Sequence, residues 1–253
     1  MTTQNLCSRC AALLDDESRT EHSDTTMPDG RPVWTMICAD SLAHLQTLPA
    51  EQFDAVITDP PYGSGGATRS ERLRSARDKY VSPDASYAAA TIQMAGDSLL
   101  PEQWSENMRD FTKAAHRALA PGRPLLVFID WRNLYAIHSA VASAGLTARG
   151  LVCWNKGRGS RPYKGGFRRQ SEYVHWSTKG GVSGDCYLDG VFQHSTRTGN
   201  KRHMSEKPLG LMRDLLKVAT PGGGGARSVR GLRHHRRGGH RARLLVSGLR
   251  GGA

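Results

Sequence analysis

The sequence predicts an α/β protein with a Rossmann-like, doubly wound sheet, in which helices cover both faces of mostly parallel strands. Short apolar runs alternate along the chain with amphipathic segments of about a dozen residues, which is the pattern of repeated strand–helix units. The chain has 253 residues, enough for one sizeable domain and not clearly two. Its hydrophobic content of 38% supports a core, and no apolar run approaches the roughly 18 residues of a membrane span.

The first strand–helix unit lies between residues 33 and 58. Residues 33–38 form a β-rich apolar run, and Asp40 then supplies the N-cap of a helix over residues 41–48, whose leucines recur at helical spacing. Pro49 ends that helix. Residues 53–58 form the apolar run expected of a buried parallel strand.

The rest of the chain continues the alternation. An apolar stripe predicts a helix that Ala-Pro-Gly ends, and a second helix ends at Gly145. The predicted helices lie at residues 104–119, 133–144 and 208–220, and the strands at residues 125–130, 151–154 and 172–176.

Three carboxylates follow predicted strands. In a doubly wound sheet ligands bind beyond the carboxyl ends of the strands. Asp40, Asp59 and Asp130 each end a predicted strand, so the three side chains can point into one crevice. The alternative for Asp130 is a helix cap, which we favour over a catalytic role.

The strongest motif is Asp59-Pro60-Pro61-Tyr62, directly after the buried strand. An exocyclic amine of adenine or cytosine is a poor nucleophile, because its lone pair is delocalised into the ring. The Asp59 carboxylate can accept one N–H of such an amine, and the Pro60 carbonyl, held rigidly by two prolines, can accept the other. The Tyr62 ring can stack on a base that has left the duplex. The alternative is an ordinary proline-rich turn.

The order of segments resembles the β group of S-adenosylmethionine-dependent DNA amino-methyltransferases. Residues 38–62 match the opening of that family, and residues 203–208 match its His-x-x-x-Lys-Pro segment. Residues 63–66, 130–132 and 161–173 further resemble phage and prophage-associated methylases. The resemblance covers about residues 34 to 223.

This resemblance implies a fold, a cofactor and a substrate. The fold is the methyltransferase sheet with its catalytic half first, the donor is S-adenosylmethionine, and the partner is double-stranded DNA. The motif begins with Asp, which is commoner among adenine-N6 enzymes than among cytosine-N4 enzymes. RNA or protein-amide methylases more often carry Asn there. The implied catalytic residues are Asp59, Pro60, Pro61 and Tyr62, and the implied cofactor-binding residues are Asp40, Lys207 and Pro208. A plain helix cap is the alternative for Asp40.

Two basic loops are candidates for contact with DNA phosphates. The first is the insertion 63–103, and the second is the insertion 156–170, in which basic and aromatic residues are interleaved. Solvated loops are the alternative. The candidate DNA-binding residues are Arg69, Arg72, Lys79, Arg161, Lys164, Arg168 and Arg169.

The C-terminal segment departs from the family. Residues 222–253 hold eight arginines and no acid, so they carry eight of the twelve net positive charges (12 − 8 = 4 for the rest of the chain). The family has a central strand and a cofactor loop of the form Val-Leu-Asp-Pro-Phe-x-Gly-Ser-Gly-Thr here, and this chain does not. We therefore expect the sheet to be incomplete at the C-terminus, the segment 224–253 to be irregular or poorly packed, and donor binding to be weak.

The neighbouring reading frame accommodates the missing loop. With the last two bases of each codon joined to the first base of the next, residues 227–230 permit Asp-Pro-Phe, and residues 230–236 permit Ala-Gly-Ser-Gly-Thr-Thr. The codons of His234 and His235 leave only Thr or Ile at the Thr positions. Our hypothesis is that the coding sequence slips by one base near the glycine run. The alternative is a genuine Arg-rich DNA-binding tail.

The predicted organisation is a flexible N-terminal extension over residues 1–31, a methyltransferase domain over residues 32–223 and an aberrant tail over residues 224–253. Cys7 and Cys10 have the spacing of half a zinc site, but no second pair follows, so we expect no metal. Five cysteines, an odd number, and an N-terminus without an apolar signal core lead us to expect reduced thiols in a cytoplasm. The oligomeric state is left open.

Overall fold

The structure is a computed structural model that describes residues 19–22, 34–62, 99–159, 164–184, 186–196, 207–219, 229–236 and 242–249. Among these residues, none of the helices combines the length and the apolar character that crossing a bilayer requires. In the same ranges, no group of three or more His, Cys, Asp and Glu side chains could hold a metal ion. Cys7 and Cys10 lie outside the described residues.

A single mixed sheet of nine strands organises the described chain. The strand order is β1-β2-β9-β8-β3-β4-β6-β5-β7. The strands are β1 (Arg19–His22), β2 (Trp34–Ala39), β3 (Ala55–Thr58), β4 (Pro124–Ile129), β5 (Thr147–Asn155), β6 (Ser171–Thr178), β7 (Val191–Gln193), β8 (Val229–Arg236) and β9 (Ala242–Leu249).

Helices cover both faces of this sheet, as the sequence predicts. They are α1 (Ser41–Thr47), α2 (Pro101–Ala118), α3 (Leu134–Ser143) and α4 (Leu209–Leu216). Successive side chains of a strand point to opposite faces, so Leu125 and Val127 of β4 pack with α1, α2 and α3, whereas Leu126 and Phe128 pack with α4. The α/β class and the double winding are therefore confirmed.

The strand directions differ from the expectation of a mostly parallel sheet. Among the described strands, three pairs are parallel and five are antiparallel. A parallel pair needs a crossover connection, usually a helix. The described residues between β5 and β6 hold a short 3-10 turn at Gly157–Gly159 and no α-helix, and β6 pairs with β5 in the antiparallel direction.

The C-terminal segment also differs from the expectation of an irregular tail. Its backbone forms β8, which pairs in parallel with β3, and β9, which pairs with β8 and β2. The physical reason is that a ladder is made by backbone groups, and an open edge of β3 offers unpaired N–H and C=O groups to any extended chain. The structure describes only the backbone there, so poor side-chain packing of this segment stays a prediction.

Helix ends follow the sequence signals. The side chain of Asp40 accepts a hydrogen bond from the Ala43 N–H at 2.9 Å and so caps α1. Pro101 occupies the first turn of α2, which starts three residues before the predicted position. Gly145, at a φ of 78°, follows α3 in the left-handed conformation that glycine accommodates without strain.

A buried histidine makes stability depend on pH. His175 of β6 is 3% exposed, and burial, with His138 beside it, lowers its pKa to about 4 from 6.5. Between these two pKa values, His175 is protonated in the unfolded chain but neutral in the folded chain. The free energy of unfolding therefore falls as the pH falls from about 6.5 to about 4. The full loss is about 3 kcal/mol. Urea unfolding at pH 7 and pH 4.5 measures it, and His175→Gln should remove this part of the pH dependence. An equal pH dependence in both proteins would contradict the assignment.

Candidate active site

The motif Asp59-Pro60-Pro61-Tyr62 follows β3 directly, at the carboxyl edge of the sheet. Two side chains from other elements hold its backbone. The indole N–H of Trp104, in α2, donates to the Pro61 carbonyl at 2.6 Å. The amide of Asn133 donates to the Tyr62 carbonyl. The motif is therefore fixed from two sides before any substrate arrives.

Lys207 lies under the motif, buried between two carboxylates. Its Nζ is 3.0 Å from Asp59 Oδ1 and 3.0 Å from Glu172 Oε1. Only 8% of the residue is exposed. The Tyr62 hydroxyl joins the same network, 3.1 Å from Asp59 Oδ1 and hydrogen-bonded to Glu172 Oε1. Two residues of the motif and two that are distant in sequence thus form one polar cluster.

Burial and the charges of this cluster shift the pKa values of its members in different directions. Burial, opposed by Lys207 and assisted by Glu172, raises the pKa of the Asp59 carboxyl. Burial also opposes ionisation of Glu172, but Lys207, Tyr62 and Lys156 outweigh it and hold the pKa of that carboxyl below its usual value. For Lys207, burial is outweighed by the two carboxylates, which raise the pKa of the ammonium group. Asp59 is therefore the more basic of the two carboxylates that share Lys207.

The Tyr62 side chain stays a neutral hydroxyl. Burial and the charge of Asp59, followed by that of Glu172, raise its pKa well above the ordinary value. A neutral hydroxyl has one proton to donate, so it donates to one carboxylate at a time.

Two acceptors of the motif remain without a donor in the part of the chain that the structure describes. Both contacts of the Asp59 carboxylate there reach Oδ1, which leaves Oδ2. The carbonyls of Pro61 and Tyr62 are occupied, whereas no described donor reaches the carbonyl of Pro60. A rigid pair of acceptors of this kind can receive the two N–H groups of one amine.

The surroundings of Lys207 fit the sulfonium end of the donor that the resemblance implies. Asp59, Glu172 and Lys207 carry a net charge of about −1 when all three are ionised, which suits a cation. The rings of Tyr62 and Phe128 lie 5.4 and 5.1 Å from Lys207 Nζ, within the range of cation–π attraction to this ammonium group. The glycine run and the segment 220–228, where the family's cofactor loop is expected, lie outside the described residues.

The structure brings together some predicted site residues and not others. Asp59, Tyr62 and Lys207 are in contact, and Pro208 is buried at the start of α4, where its carbonyl accepts from the Met212 N–H at 3.1 Å. Asp40 is exposed, and its described role is the cap of α1. The cofactor role of Lys207, Pro208 and Asp40 stays a prediction.

Asp130 does not join the cluster. Its carboxylate caps the 3-10 turn Trp131–Asn133 by accepting from the Arg132 N–H at 3.0 Å, and it also pairs with the Arg132 guanidinium. The preferred prediction of a cap is confirmed. Asp40, Asp59 and Asp130 share an edge of the sheet, but each carboxylate has its own partners.

The predicted DNA-binding residues lie partly outside the described residues, namely Arg69, Arg72, Lys79 and Arg161. Lys164 and Arg169 are exposed, and the Arg168 guanidinium donates to the Arg158 carbonyl at 3.1 Å, which stiffens the loop. The Lys156 N–H donates to the Gln170 carbonyl at 2.7 Å at the base of this loop. The loop therefore begins and ends beside Glu172, at the edge that holds the motif.

Several site residues were not predicted from the sequence. The resemblance spans residues 161–173 but implies no role for Glu172, and the helical pattern over residues 104–119 explains Trp104 only as an apolar residue. A charged residue at the start of a buried strand is the one local signal that could have marked Glu172. Trp104 offered a weaker signal, since a buried indole N–H needs an acceptor.

Comparison with known proteins gives a family and a set of similar structures. Residues 53–190, more than half of the 253, match the model of the N6/N4 DNA methylase family. No curated protein matches the chain. M1.HpyAVI in complex with SAM is 17% identical, with a TM-score of 0.45 over 70% of this chain and 72% of that one. PvuII DNA methyltransferase, which is cytosine-N4-specific, is 14% identical, with a TM-score of 0.44 over 65% of this chain and 58% of that one.

Removal of the buried ammonium should destabilise the protein. Lys207→Met leaves Asp59 and Glu172 buried without their cation, and breaking a buried pair in this way costs about 3–5 kcal/mol. Lys217→Met is the matched control, because Lys217 pairs with Asp214 while 60% of its side chain is exposed, and it should cost less than about 1 kcal/mol. Urea unfolding at pH 8 measures both, and equal losses would show that Lys207 is not a structural cation.

Proposed function

The chain belongs to the DNA methylase family that its residues 53–190 match, and from this membership we propose a specific reaction for it. The family reaction is S-adenosylmethionine-dependent methylation of an exocyclic amine in DNA. The proposed reaction of this chain is transfer of the methyl group to the N6 amine of a flipped adenine in double-stranded DNA. The choice of adenine rests on Asp at the first motif position, and cytosine N4 is the alternative.

The observation that carries this proposal is the pair of open acceptors at the motif. Asp59 Oδ2 and the Pro60 carbonyl can take the two N–H groups of the amine, while the protein's own donors occupy Asp59 Oδ1 and the next two carbonyls. Accepting both protons draws electron density back to the nitrogen and holds it in one orientation. S-adenosylmethionine, when bound, supplies an electrophilic methyl group on a sulfonium, and the proposed residues for holding it are Asp40, Lys207 and Pro208.

Tyr62 supports the flipped base in this proposal. Its hydroxyl is held by Asp59 and Glu172, so the ring has a fixed position next to the acceptors. A fixed aromatic ring can stack on a base and offset part of the stacking energy lost when the base leaves the duplex. The motif therefore combines recognition of the amine with support of the ring.

The loop between β5 and β6 is the proposed DNA-facing surface. Phe167 is 97% exposed and lies beside Arg168 and Arg169, and Lys164 is exposed on the same loop. Basic and aromatic side chains together suit a nucleic-acid strand, because the cations meet phosphates and the ring meets bases. Arg161 of the same loop, and Arg69, Arg72 and Lys79 of the earlier insertion, are proposed to contact phosphates as well.

A second candidate is a methylase remnant that binds DNA but no longer transfers methyl groups. It is favoured by the C-terminal sequence, in which the Asp-Pro-Phe-x-Gly loop is missing and the neighbouring frame permits it. The two candidates differ in whether the donor binds, since the acceptors of the motif are present in both.

Loss of the Asp59 carboxylate should abolish methyl transfer without unfolding the protein. In the chain with the restored frame, Asp59→Ala removes one fixed acceptor, which should cost at least about 2.7 kcal/mol, or about 100-fold in rate, by analogy with oxyanion donors. Asp130→Ala is the matched control. It also removes a carboxylate at the end of a strand, in this case β4 beside β3, but the Asp130 carboxylate pairs with Arg132. Single-turnover transfer of a labelled methyl group to duplex DNA measures both. A near-wild-type rate for Asp59→Ala would remove Asp59 from the mechanism.

The frame slip can be tested by donor binding. The nucleotide sequence across codons 218 to 253 gives the base at which to restore the frame. Calorimetric titration with S-adenosylmethionine should then show weak or no binding to the chain as given and clear binding to the restored chain. The reason is that only the restored chain has a carboxylate and a glycine turn for the methionine end of the donor. Comparable micromolar binding by both chains would reject the slip as a cause of lost function.

A further inference from the structure

Glu172 stands outside the motif but contacts Tyr62, Lys207 and Lys156. It lies on β6, 110 residues from Tyr62 in the sequence, and its Oε1 accepts from the Tyr62 hydroxyl and lies 3.0 Å from Lys207 Nζ. Its Oε2 is 3.7 Å from Lys156 Nζ. The side chain is only 14% exposed, so a surface role does not explain its charge.

We propose that Glu172 is a positioning residue for methyl transfer, which draws Lys207 and the Tyr62 hydroxyl to itself and so leaves Asp59 able to accept the proton that the target amine releases. The proposal rests on the proposed function and adds the fate of the proton. Methylation leaves the amine nitrogen with one proton too many. The N–H bond breaks with its electron pair kept on nitrogen, and the proton bonds to Asp59 Oδ2.

Lys207 is shared between two carboxylates. An ammonium group held by Asp59 alone would favour the ionised carboxylate and make it a poor proton acceptor. Here Nζ lies at the same 3.0 Å from Glu172 as from Asp59, so its charge is shared. The charge of Glu172 itself also disfavours a second negative charge at Asp59.

The Tyr62 hydroxyl is shared between the same two carboxylates. It carries one proton, and it lies between Asp59 Oδ1 and Glu172 Oε1. When it donates to Glu172, it no longer donates to Asp59 Oδ1, 3.1 Å away, so Asp59 loses a hydrogen bond that favours its ionised form. Glu172 therefore leaves Asp59 more able to bind a proton by accepting the hydrogen bond of the Tyr62 hydroxyl.

The charged and titratable groups that face Asp59 among the described residues are Lys207, Glu172 and Tyr62. Lys156 acts on Glu172 from the end of β5. Removing the charge of Glu172 while keeping its shape isolates the proposed effect. Glu172→Gln keeps an oxygen for the Tyr62 hydroxyl, but it leaves Lys207 to Asp59 alone and removes the like charge.

The experiment follows the titration of Asp59 directly, with no cofactor present. The carboxyl resonance of Asp59 is observed by NMR in protein labelled with ¹³C at the Asp carboxyls, and its assignment comes from Asp59→Asn. In Glu172→Gln the midpoint should fall by about one pH unit. Glu106→Gln, an exposed position on α2, is the charge-matched control and should leave the midpoint unchanged. An unchanged or raised midpoint in folded Glu172→Gln overturns the proposal.

A second variant covers the case in which Glu172→Gln does not fold. Lys156→Met removes the cation beside Glu172 from a position that is 21% exposed, so the Asp59 midpoint should rise. A fall or no change would overturn the proposal. In the chain with the restored frame, the acid limb of the single-turnover pH profile should move down with the Asp59 midpoint in Glu172→Gln, and the plateau rate should drop by up to about tenfold.

The outcomes separate this inference from the proposed function. If the restored chain transfers methyl groups but Glu172→Gln leaves the titration midpoint of Asp59 unchanged, the role of Glu172 is overturned and the proposed function is kept. A lowered midpoint without methyl transfer to any DNA overturns the proposed function and keeps the coupling between the two carboxylates.

Discussion

The burial of one ammonium group between two carboxylates is the interaction on which the active edge of this protein depends. Lys207 is 8% exposed, and removing an ammonium from water costs several kcal/mol even after the protein relaxes. Two carboxylates at hydrogen-bonding distance offset that cost, because Asp59 and Glu172 each lie 3.0 Å from Lys207 Nζ. The motif, β6 and the start of α4 are thereby tied to one another by the same charge.

The sheet makes this meeting possible through strand direction. β3 and β4 run in parallel, so Asp59 follows β3 at the edge where β4 also ends. β6 is antiparallel to β4, with Tyr173 opposite Ile129, so Glu172, the second residue of β6, lies at that same edge. The antiparallel strand, which the sequence does not predict, is thus what delivers the second carboxylate. A parallel β6 would place its first residues at the opposite edge of the sheet.

Local features of the site could be predicted from the sequence, and long-range ones could not. The motif after β3, the cap at Asp40 and the alternation of strands and helices depend on neighbouring residues, and the structure contains them. The roles of Glu172 and Trp104 depend on contacts 110 and 43 residues apart, which no local pattern encodes. Strand direction belongs to the same class, because it depends on how the chain returns to the sheet and not on the residues of the strand.

The C-terminal segment shows how far fold and function can separate. β8 pairs in parallel with β3, from Ala55 opposite Gly231 to Thr58 opposite His234, so the backbone of the central sheet is continued. Backbone pairing is open to almost any sequence without proline, and this segment has none between residues 222 and 253. The proposed donor site depends on side chains instead, and residues 222–253 contain no carboxylate to supply it. A chain of this kind can therefore continue the backbone of its central sheet and keep the acceptors of Asp59 and Pro60, whatever the side chains of this segment are.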